Sequence, residues 1–171
     1  MRAGARENRM PAPTKIADLL GVLARHRVDF IVVGGVAAVI QGAPVNTFDL
    51  DVVHARTPDN IERLLGALRE LDAVYRIDLQ RRLSPTASHL ASTGHQLLAT
   101  NMGTLDLLGT IEEGTSYEEL LADSEELDLG EISIRVITLE RLIAIKEKLT
   151  RPKDQVMLQV LRATLDERRR R

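Results

Sequence analysis

The stretch of residues 28–55 constrains what this chain can fold into more than any other part of the sequence. Residues 30–33 form a short apolar run, which predicts a buried strand. The pair Gly34-Gly35 ends that run, and residues 36–40 predict a short helix. A glycine pair between a strand and a helix lets a phosphate approach the backbone, next to helix-terminal N–H groups that favour an anion. We therefore interpret the pair as a phosphate-binding turn; the alternative is a tight turn needed only for packing.

A second predicted strand, residues 48–54, carries two aspartates. Because side chains alternate along a strand, Asp49 and Asp51 lie on the same face. Aspartate is depleted in strands, and two like charges on one face repel each other unless a positive charge lies between them. An oxygen-ligated divalent cation meets that requirement. Asp49 and Asp51 are therefore predicted metal ligands; the alternative is a pair of surface carboxylates that face solvent.

The glycine pair fits neither of two common phosphate-binding motifs. No Gly-Lys-Ser/Thr follows it, as a P-loop requires. Residues 34–42 (GGVAAVIQG) also lack the third glycine at the spacing of a dinucleotide fingerprint. A dinucleotide-dependent oxidoreductase is therefore disfavoured.

Taken in this order, the glycine pair, the helix and the Asp-x-Asp strand resemble the signature of the DNA-polymerase-β-like nucleotidyltransferase superfamily. The resemblance implies a third carboxylate on a later strand, and Asp106 within the run TLDLL supplies it. It also implies that Asp49, Asp51 and Asp106 are the catalytic residues and the ligands of Mg²⁺ or Mn²⁺ in a two-metal transfer. In that arrangement Asp106 lies nearest the acceptor, as the general base or as the group that orients it.

The closing segment resembles a subgroup of small bacterial members that includes the nucleotidyltransferase-like toxins of abortive-infection systems. There a lysine-bearing helix precedes an Arg-x-Lys-Asp element, here Lys146 and then residues 151–154 (RPKD). The resemblance implies that Lys146 and Arg151 clamp the triphosphate of the donor and that Asp154 orients one of them or the acceptor. The alternative is a helix C-terminus with cations on its dipole, followed by a salt-bridged turn. The nucleotide-binding residues implied are Gly34, Gly35, Thr47, Lys146, Arg151 and Asp154.

Some positions depart from the pattern of related sequences. Those sequences often have Arg where Val45 stands, and a further acidic residue where Met157 and Leu158 stand. Many members also have Ser at the position of Gly35, so this chain would offer a phosphate only backbone N–H groups there. The departures at Val45 and at Met157 and Leu158 bear on substrate binding and slightly favour a binding protein, whereas the intact set of three carboxylates favours an enzyme.

The composition excludes several other classes of protein and site. The chain has 171 residues and a formal net charge of -2, so no overall positive field attracts nucleic acid, and no sequence-specific DNA binding is expected. It has no cysteine, which excludes disulfides and thiolate metal sites. Aromatic residues make up only 2%, fewer than proteins that stack single strands normally offer. No apolar run reaches the length of a membrane span or forms a signal peptide, so we expect no membrane association and a cytoplasmic protein.

The rest of the chain predicts an α+β fold, a nucleotidyltransferase-like mixed sheet flanked by helices, with further helices at the C-terminus. We expect a disordered N-terminal extension (1–12), a single domain (13–167) and a basic tail (168–171). Residues 72–94 are the least regular part, and their arginines (Arg76, Arg81 and Arg82) indicate either a solvated loop or a lid over phosphates or the acceptor. The other predicted elements are helices at 14–27, 59–71, 116–122, 138–148 and from 152, and strands at 95–100, 104–111, 125–129 and 131–137.

The function hypothesis is a metal-dependent nucleotidyltransferase. It would move a nucleoside monophosphate from a nucleoside triphosphate such as ATP to a hydroxyl group of a tRNA 3′ end, a protein or a small molecule. The resemblance also suggests a toxin–antitoxin or phage-defence context, with a cognate antitoxin or toxin protein as partner. The alternative is a non-catalytic binding protein that keeps the same fold as an antitoxin or regulatory partner.

Overall fold

The structure, a computed structural model, describes residues 14–171. The predicted extension 1–12 lies outside the described residues. Seven strands are present in these residues: β1 (Phe30–Val33), β2 (Asp49–His54), β3 (Val74–Tyr75), β4 (His95–Thr100), β5 (Gly103–Leu108), β6 (Ser124–Asp128) and β7 (Ser133–Ile137). They form one sheet in the order β3-β4-β5-β2-β1-β7-β6. Two strand pairs, β2–β5 and β1–β7, are parallel and the other four are antiparallel. The predicted mixed sheet is therefore confirmed.

Seven α-helices accompany the sheet: α1 (Ile16–Arg25), α2 (Gly34–Ile40), α3 (Pro58–Glu70), α4 (Ala87–Ala91), α5 (Tyr117–Leu120), α6 (Leu139–Glu147) and α7 (Pro152–Arg169). Short 3-10 turns follow β3 (Arg76–Asp78) and α5 (Leu121–Asp123). Thr57 and Thr138 cap α3 and α6 with their hydroxyl groups, each accepting a hydrogen bond from a backbone N–H three residues on. The predicted α+β class is therefore confirmed. No helix in residues 14–171 combines the length and the apolar character needed to cross a bilayer.

The register of the three central strands decides where the candidate site lies. Val33 at the end of β1 is opposite Asp51 on β2, and Asp51 is opposite Asp106 on β5. Because directly paired residues point to the same side of a sheet, all three side chains share one face. The central sheet therefore brings together Val33, Asp51 and Asp106, which are distant from one another in the sequence.

The two faces of the sheet are covered to different degrees. The face opposite the aspartates carries a row of leucine and valine side chains that are 0–1% exposed, namely Leu50, Val52, Leu98, Leu105 and Leu107. On the aspartate face, Leu97 is opposite Asp106 and is 44% exposed. The sheet around Asp106 is therefore open on the side that carries the aspartates, which leaves room for a ligand.

Two segments differ from their sequence-based predictions. Residues 72–94 are more regular than expected: they contain β3 and α4, and the backbone N–H of Tyr75 donates to the carbonyl of Leu83 (2.8 Å), which closes a loop over residues 76–83. At the other end of the chain, the residues predicted as a basic tail begin inside α7. There Arg168 donates to the backbone carbonyl of Gln41 and, at 3.0 Å, to its side-chain oxygen.

Candidate functional site

Two of the three predicted carboxylates are neighbours on parallel strands. Asp51 and Asp106 are directly paired across β2 and β5, so their carboxylates lie side by side on one face of the sheet. Burial raises the pKa of Asp51 to about 7, helped by the Asp106 carboxylate and then by Asp49, while the guanidinium of Arg76 acts in the opposite direction. The structure thus places Asp51 next to Asp106, an arrangement that is electrostatically costly when both carboxylates are ionised.

The Asp51 carboxylate has an oxygen without a partner. Its Oδ1 atom is buried and accepts no hydrogen bond from any described residue. A buried carboxylate oxygen that lacks a donor is unfavourable, and a bound cation is one way to satisfy it. Asp49 is exposed and lies two residues earlier on the same face of β2. The donor set is thus all carboxylate oxygen, which suits Mg²⁺ or Mn²⁺.

The three carboxylates do not form a closed group in this structure. Within residues 14–171, no three His, Cys, Asp or Glu side chains lie together as a ready metal-binding cluster. One reason is that Asp106 already has a cation: Nη1 of Arg76 lies 2.5 Å from its Oδ1. Another is that mutual repulsion favours separation of like charges when no ion lies between them. The oxygens of Asp49, Asp51 and Asp106 thus fit the chemistry of a divalent ion, but they would have to draw together around it.

Arg76 is the functional candidate that sequence reasoning did not single out. It follows the two-residue strand β3, and its guanidinium donates both to Asp106 and to the backbone carbonyl of Leu98 (3.1 Å). The sequence showed Arg76 only as one of three arginines in an irregular segment. The pairing of Val74 and Tyr75 with β4 would have indicated where Arg76 lies. This signal was missed because a strand of two residues is too short to be recognised from periodicity.

The glycine pair packs directly against the carboxylate strand. Gly34 has a φ angle of +66°, and a Cβ atom built on it would lie 2.6 Å from Oδ2 of Asp51. A Cβ atom on Gly35 would lie 2.7 Å from Oγ1 of Thr47. Both residues belong to the first turn of α2, rather than to a turn before it. Packing alone therefore requires glycine at both positions, and the bare backbone lies beside Asp51 and Thr47, where the resemblance places the phosphates.

A second cluster joins the last two helices. The carboxylate of Asp154 on α7 is 1% exposed and accepts hydrogen bonds from Nζ of Lys146 (3.0 Å) and from Nε of Arg151 (2.8 Å). The Lys146 hydrogen bond is the main cause of the lowered pKa of Asp154; burial opposes it, and the Arg151 bond adds to it. Asp154 thus orients both cations. The Arg151 side chain stays 63% exposed, whereas Lys146 is 25% exposed.

The structure brings together five of the predicted site residues and sets three apart. The first group consists of Gly34, Gly35, Thr47, Asp51 and Asp106, with Asp49 beside it on the strand. Among residues 14–171, no hydrogen bond or ion pair joins the Asp154 cluster to these carboxylates. The link between the groups is indirect, because α6, which carries Lys146, packs against α2.

The positions that depart from related sequences have structural roles here. Leu158 is 4% exposed and belongs to the hydrophobic core, and Val45 and Met157 pack against that core. An arginine or an aspartate at these positions would lose apolar contacts. In this chain these positions therefore contribute to the packing of the core and not to substrate binding.

The cavities described for residues 14–171 lie away from the carboxylates. One of about 730 Å³ is bordered by Glu112, Arg141 and Lys148, which form a chain of ion pairs. Another of about 300 Å³ lies at the opposite end of β1, next to Arg27 and Tyr117. The identification of the carboxylate site therefore depends on its chemistry and not on these cavities.

The chain resembles known proteins both in sequence and in fold. Residues 90–171 match the sequence model of a family described as a nucleotidyl transferase of unknown function (DUF2204). The fold is similar to the crystal structure of a candidate nucleotidyltransferase from Thermotoga maritima, with a TM-score of 0.52 and 17% sequence identity over 89% of this chain and 91% of that one. No curated protein sequence matches the chain. The predicted resemblance to nucleotidyltransferases, and with it the class of enzyme, is confirmed by the family model over residues 90–171 together with the fold.

Proposed function

Starting from the nucleotidyltransferase fold, we propose that this chain transfers a nucleoside monophosphate from a nucleoside triphosphate to a hydroxyl group and releases pyrophosphate, with Mg²⁺ or Mn²⁺ as cofactor. The observation that carries the proposal is the pairing of Asp51 with Asp106 on parallel strands, with a buried Oδ1 atom of Asp51 left unpartnered. A pair of carboxylates held this closely inside a sheet is stabilised by a cation and has no role in packing. Asp49 on the same face would supply the third carboxylate.

Asp49, Asp51 and Asp106 are the residues that would hold the divalent ions. When bound, such ions neutralise charge on the transferring phosphoryl group and make a hydroxyl group more acidic. Oδ1 of Asp106 is held by Arg76, so Oδ2 is the oxygen that can accept the proton of the acceptor hydroxyl. Arg76 also keeps the Asp106 carboxylate in a fixed orientation, which the transfer requires.

The donor triphosphate would lie between the glycine pair and the last two helices. Gly34 and Gly35 leave the backbone bare beside Asp51, so a phosphate can approach it closely. Lys146 and Arg151 would bind the far phosphates, each oriented by Asp154. Because Arg151 is well exposed and uses only Nε toward Asp154, its two terminal nitrogens can face a phosphate.

A second candidate function is a non-catalytic binding protein with the same fold. It is favoured by the ion pairs already present: Arg76 is paired with Asp106, and Lys146 and Arg151 are both paired with Asp154. Such a protein could act as an antitoxin or regulatory partner and bind a nucleotide without transferring it. A tRNA end, a protein and a small molecule all stay open as acceptors for the enzyme.

The test is incubation of the protein with each labelled triphosphate and Mg²⁺, with cell RNA or lysate protein as the acceptor. If wild type transfers the label and Asp51→Asn does not, the result supports the enzyme hypothesis. In parallel, triphosphate affinity is measured for wild type, Lys146→Ala and Arg151→Ala, with Lys153→Ala as the matched control from the same exposed turn. Each charge-assisted contact is worth about 1.5–3 kcal/mol, so loss of one should weaken binding about tenfold or more.

The outcomes separate the two candidates. Weakened affinity in Lys146→Ala and Arg151→Ala, with normal melting curves and no transfer to any acceptor, favours the nucleotide-binding partner. Equal affinity in wild type and both variants would remove the last two helices from the nucleotide site. Label transfer that survives Asp51→Asn would overturn the carboxylate mechanism.

A further inference from the structure

Arg76 lies on the far side of the carboxylates from the glycine pair. The strand order places β1 and the start of α2 on one side of β2, and β5, β4 and β3 on the other. Arg76 follows β3, and its side chain crosses β4 to reach Asp106 on β5. If the donor phosphates lie beside Gly34, a second substrate has to approach from the side on which Arg76 lies.

The Arg76 guanidinium is only partly used by the protein. Of its five N–H groups, the two on Nη1 account for the bonds to Asp106 and to the Leu98 carbonyl. Within residues 14–171, Nε and Nη2 have no acceptor, and the side chain is 32% exposed. Nη1 is therefore fixed against the Asp106 carboxylate, while Nε and Nη2 keep three N–H donors that the described residues do not use.

The base of the Arg76 loop is held in place. The Tyr75 N–H bonds to the Leu83 carbonyl, and the Tyr75 hydroxyl donates to Oε1 of Gln96 on β4 (2.5 Å). Arg82 of the same loop is paired with Asp72 instead (2.6 Å) and so is not available at the carboxylates. Arg76 is thus the loop arginine that the fold directs to the site.

We propose that Arg76 binds a phosphate group of the acceptor, so that the chain selects acceptors with a phosphate close to the reacting hydroxyl. This rests on the proposed function for the identity of the second substrate. A planar guanidinium with two adjacent free nitrogens matches the oxygens of a phosphate. The exposed face of β4 next to Asp106, marked by Leu97, has room for the sugar to which that phosphate is attached. A protein side chain without a phosphate would leave these donors unpaired.

The test uses ribose 5-phosphate as the probe and ribose as its unphosphorylated match, because neither has a base to compete for the nucleotide. Binding is followed by NMR titration of the labelled protein with saturating Mg²⁺. The variants are Arg76→Ala and Arg76→Lys, and Arg82→Ala is the matched control from the same loop. We expect wild type and Arg82→Ala to prefer ribose 5-phosphate over ribose. Arg76→Ala should bind the phosphate probe about tenfold or more weakly, and Arg76→Lys should recover part of the loss.

The results distinguish this inference from the proposed function. Equal affinity of wild type and Arg76→Ala for ribose 5-phosphate, with both folded, would overturn the inference even if transferase activity is found. Loss of phosphate preference in Arg76→Ala supports it even if the chain transfers nothing. Once an acceptor is known, Arg76→Ala should raise the KM for the phosphorylated acceptor and leave the KM for the triphosphate unchanged. An equal rise in both KM values would show a general disturbance of the site and would also overturn the inference.

Discussion

Gly34 and Asp51 are packed so closely that a Cβ atom on the glycine would lie 2.6 Å from Oδ2 of the aspartate. The contact joins the first residue of α2 to the middle of β2. Since Gly34 also has a φ angle of +66°, two separate constraints exclude other residues there: backbone strain and overlap with the carboxylate.

The first prediction separates these two constraints. Gly34→Ala should lower the free energy of unfolding by about 2 kcal/mol or more, because strain and overlap add. Gly114→Ala, with a φ angle of +108° and no atom near its Cβ position, should show the strain alone, about 1 kcal/mol. Gly21→Ala, in the middle of α1 with open space, should be neutral or stabilising. Urea unfolding of the three variants is the measurement, and an equal loss in Gly34→Ala and Gly114→Ala would show that Asp51 moves aside freely.

The second prediction concerns the carboxylate pair without metal. Asp51→Asn should leave the metal-free protein at pH 8 as stable as wild type or more stable, by up to about 2 kcal/mol, because ionisation of a buried carboxylate beside Asp106 is unfavourable. The rise in melting temperature that Mg²⁺ or Mn²⁺ gives wild type should disappear. Asp49→Asn, at an exposed position of the same strand, should change the metal-free stability little. A full metal response in Asp51→Asn would place the ion elsewhere.

The third prediction is a loss of stability in mild acid that originates at His54. Its ring is 1% exposed, one ring nitrogen bonds to the Leu90 carbonyl (2.8 Å), and Nδ1 has no partner in the described part of the chain. Burial lowers the pKa of His54 below 6.5, and the nearby Arg56 contributes. The unfolded chain therefore takes up a proton first as the pH falls through 6.5, so the native state is fully favoured above that pH and loses stability below it.

Comparison with a neutral residue measures the size of this effect. Between pH 7 and pH 5.5 the wild-type free energy of unfolding should fall more than that of His54→Gln, which cannot take up the proton but can still donate to Leu90. Both proteins are compared by urea unfolding at each pH. Identical pH dependence would mean that the His54 ring is protonated as easily inside the protein as outside it.

The fourth prediction concerns the buried Asp154. Removal of its charge partners one at a time leaves a buried carboxylate with a single donor, so Lys146→Met should lower the melting temperature by about 5 °C or more. The double variant Lys146→Met/Asp154→Leu removes the buried charge together with its partner and should recover much of that loss. Because the pKa of Asp154 is lowered, its contribution to stability is present above about pH 4 and is lost as the pH falls further. A double variant that melts no higher than Lys146→Met would show that Asp154 stabilises the fold by more than its ion pair with Lys146.

Local patterns predicted most of the elements correctly. The run 30–33 is the strand β1, and the helices predicted at 59–71 and 138–148 are α3 and α6. Each of these signals lies in consecutive residues, where apolar periodicity and capping preferences act directly. Strand alternation likewise predicted that Asp49 and Asp51 share a face.

The pairing of strands distant in sequence could not be read in the same way. Alternation alone does not say that β5 lies beside β2 in the register that sets Asp106 opposite Asp51; the resemblance supplied that expectation. Neither source indicated that Arg76 would take one oxygen of Asp106, because this contact depends on a strand of two residues and on the loop that follows it. The burial of Asp154 between two cations is also a product of helix packing, which the local sequence does not report.

The interleaved strand order has a consequence for the chain as a whole. The pair β2-β1, from before residue 90, lies between the pairs β4-β5 and β7-β6, from after it, and β3 lies outside β4. A fragment of residues 90–171 would contain Asp106 and Asp154 but no neighbour for the inner edge of β7, and the remaining fragment would have Asp51 with its parallel partner missing. Neither fragment could possess a working site by itself, yet each exposes the sheet edge that the other fills. Two such fragments, mixed in solution, should therefore find one another and restore in a bimolecular complex the carboxylate pair that neither contains alone.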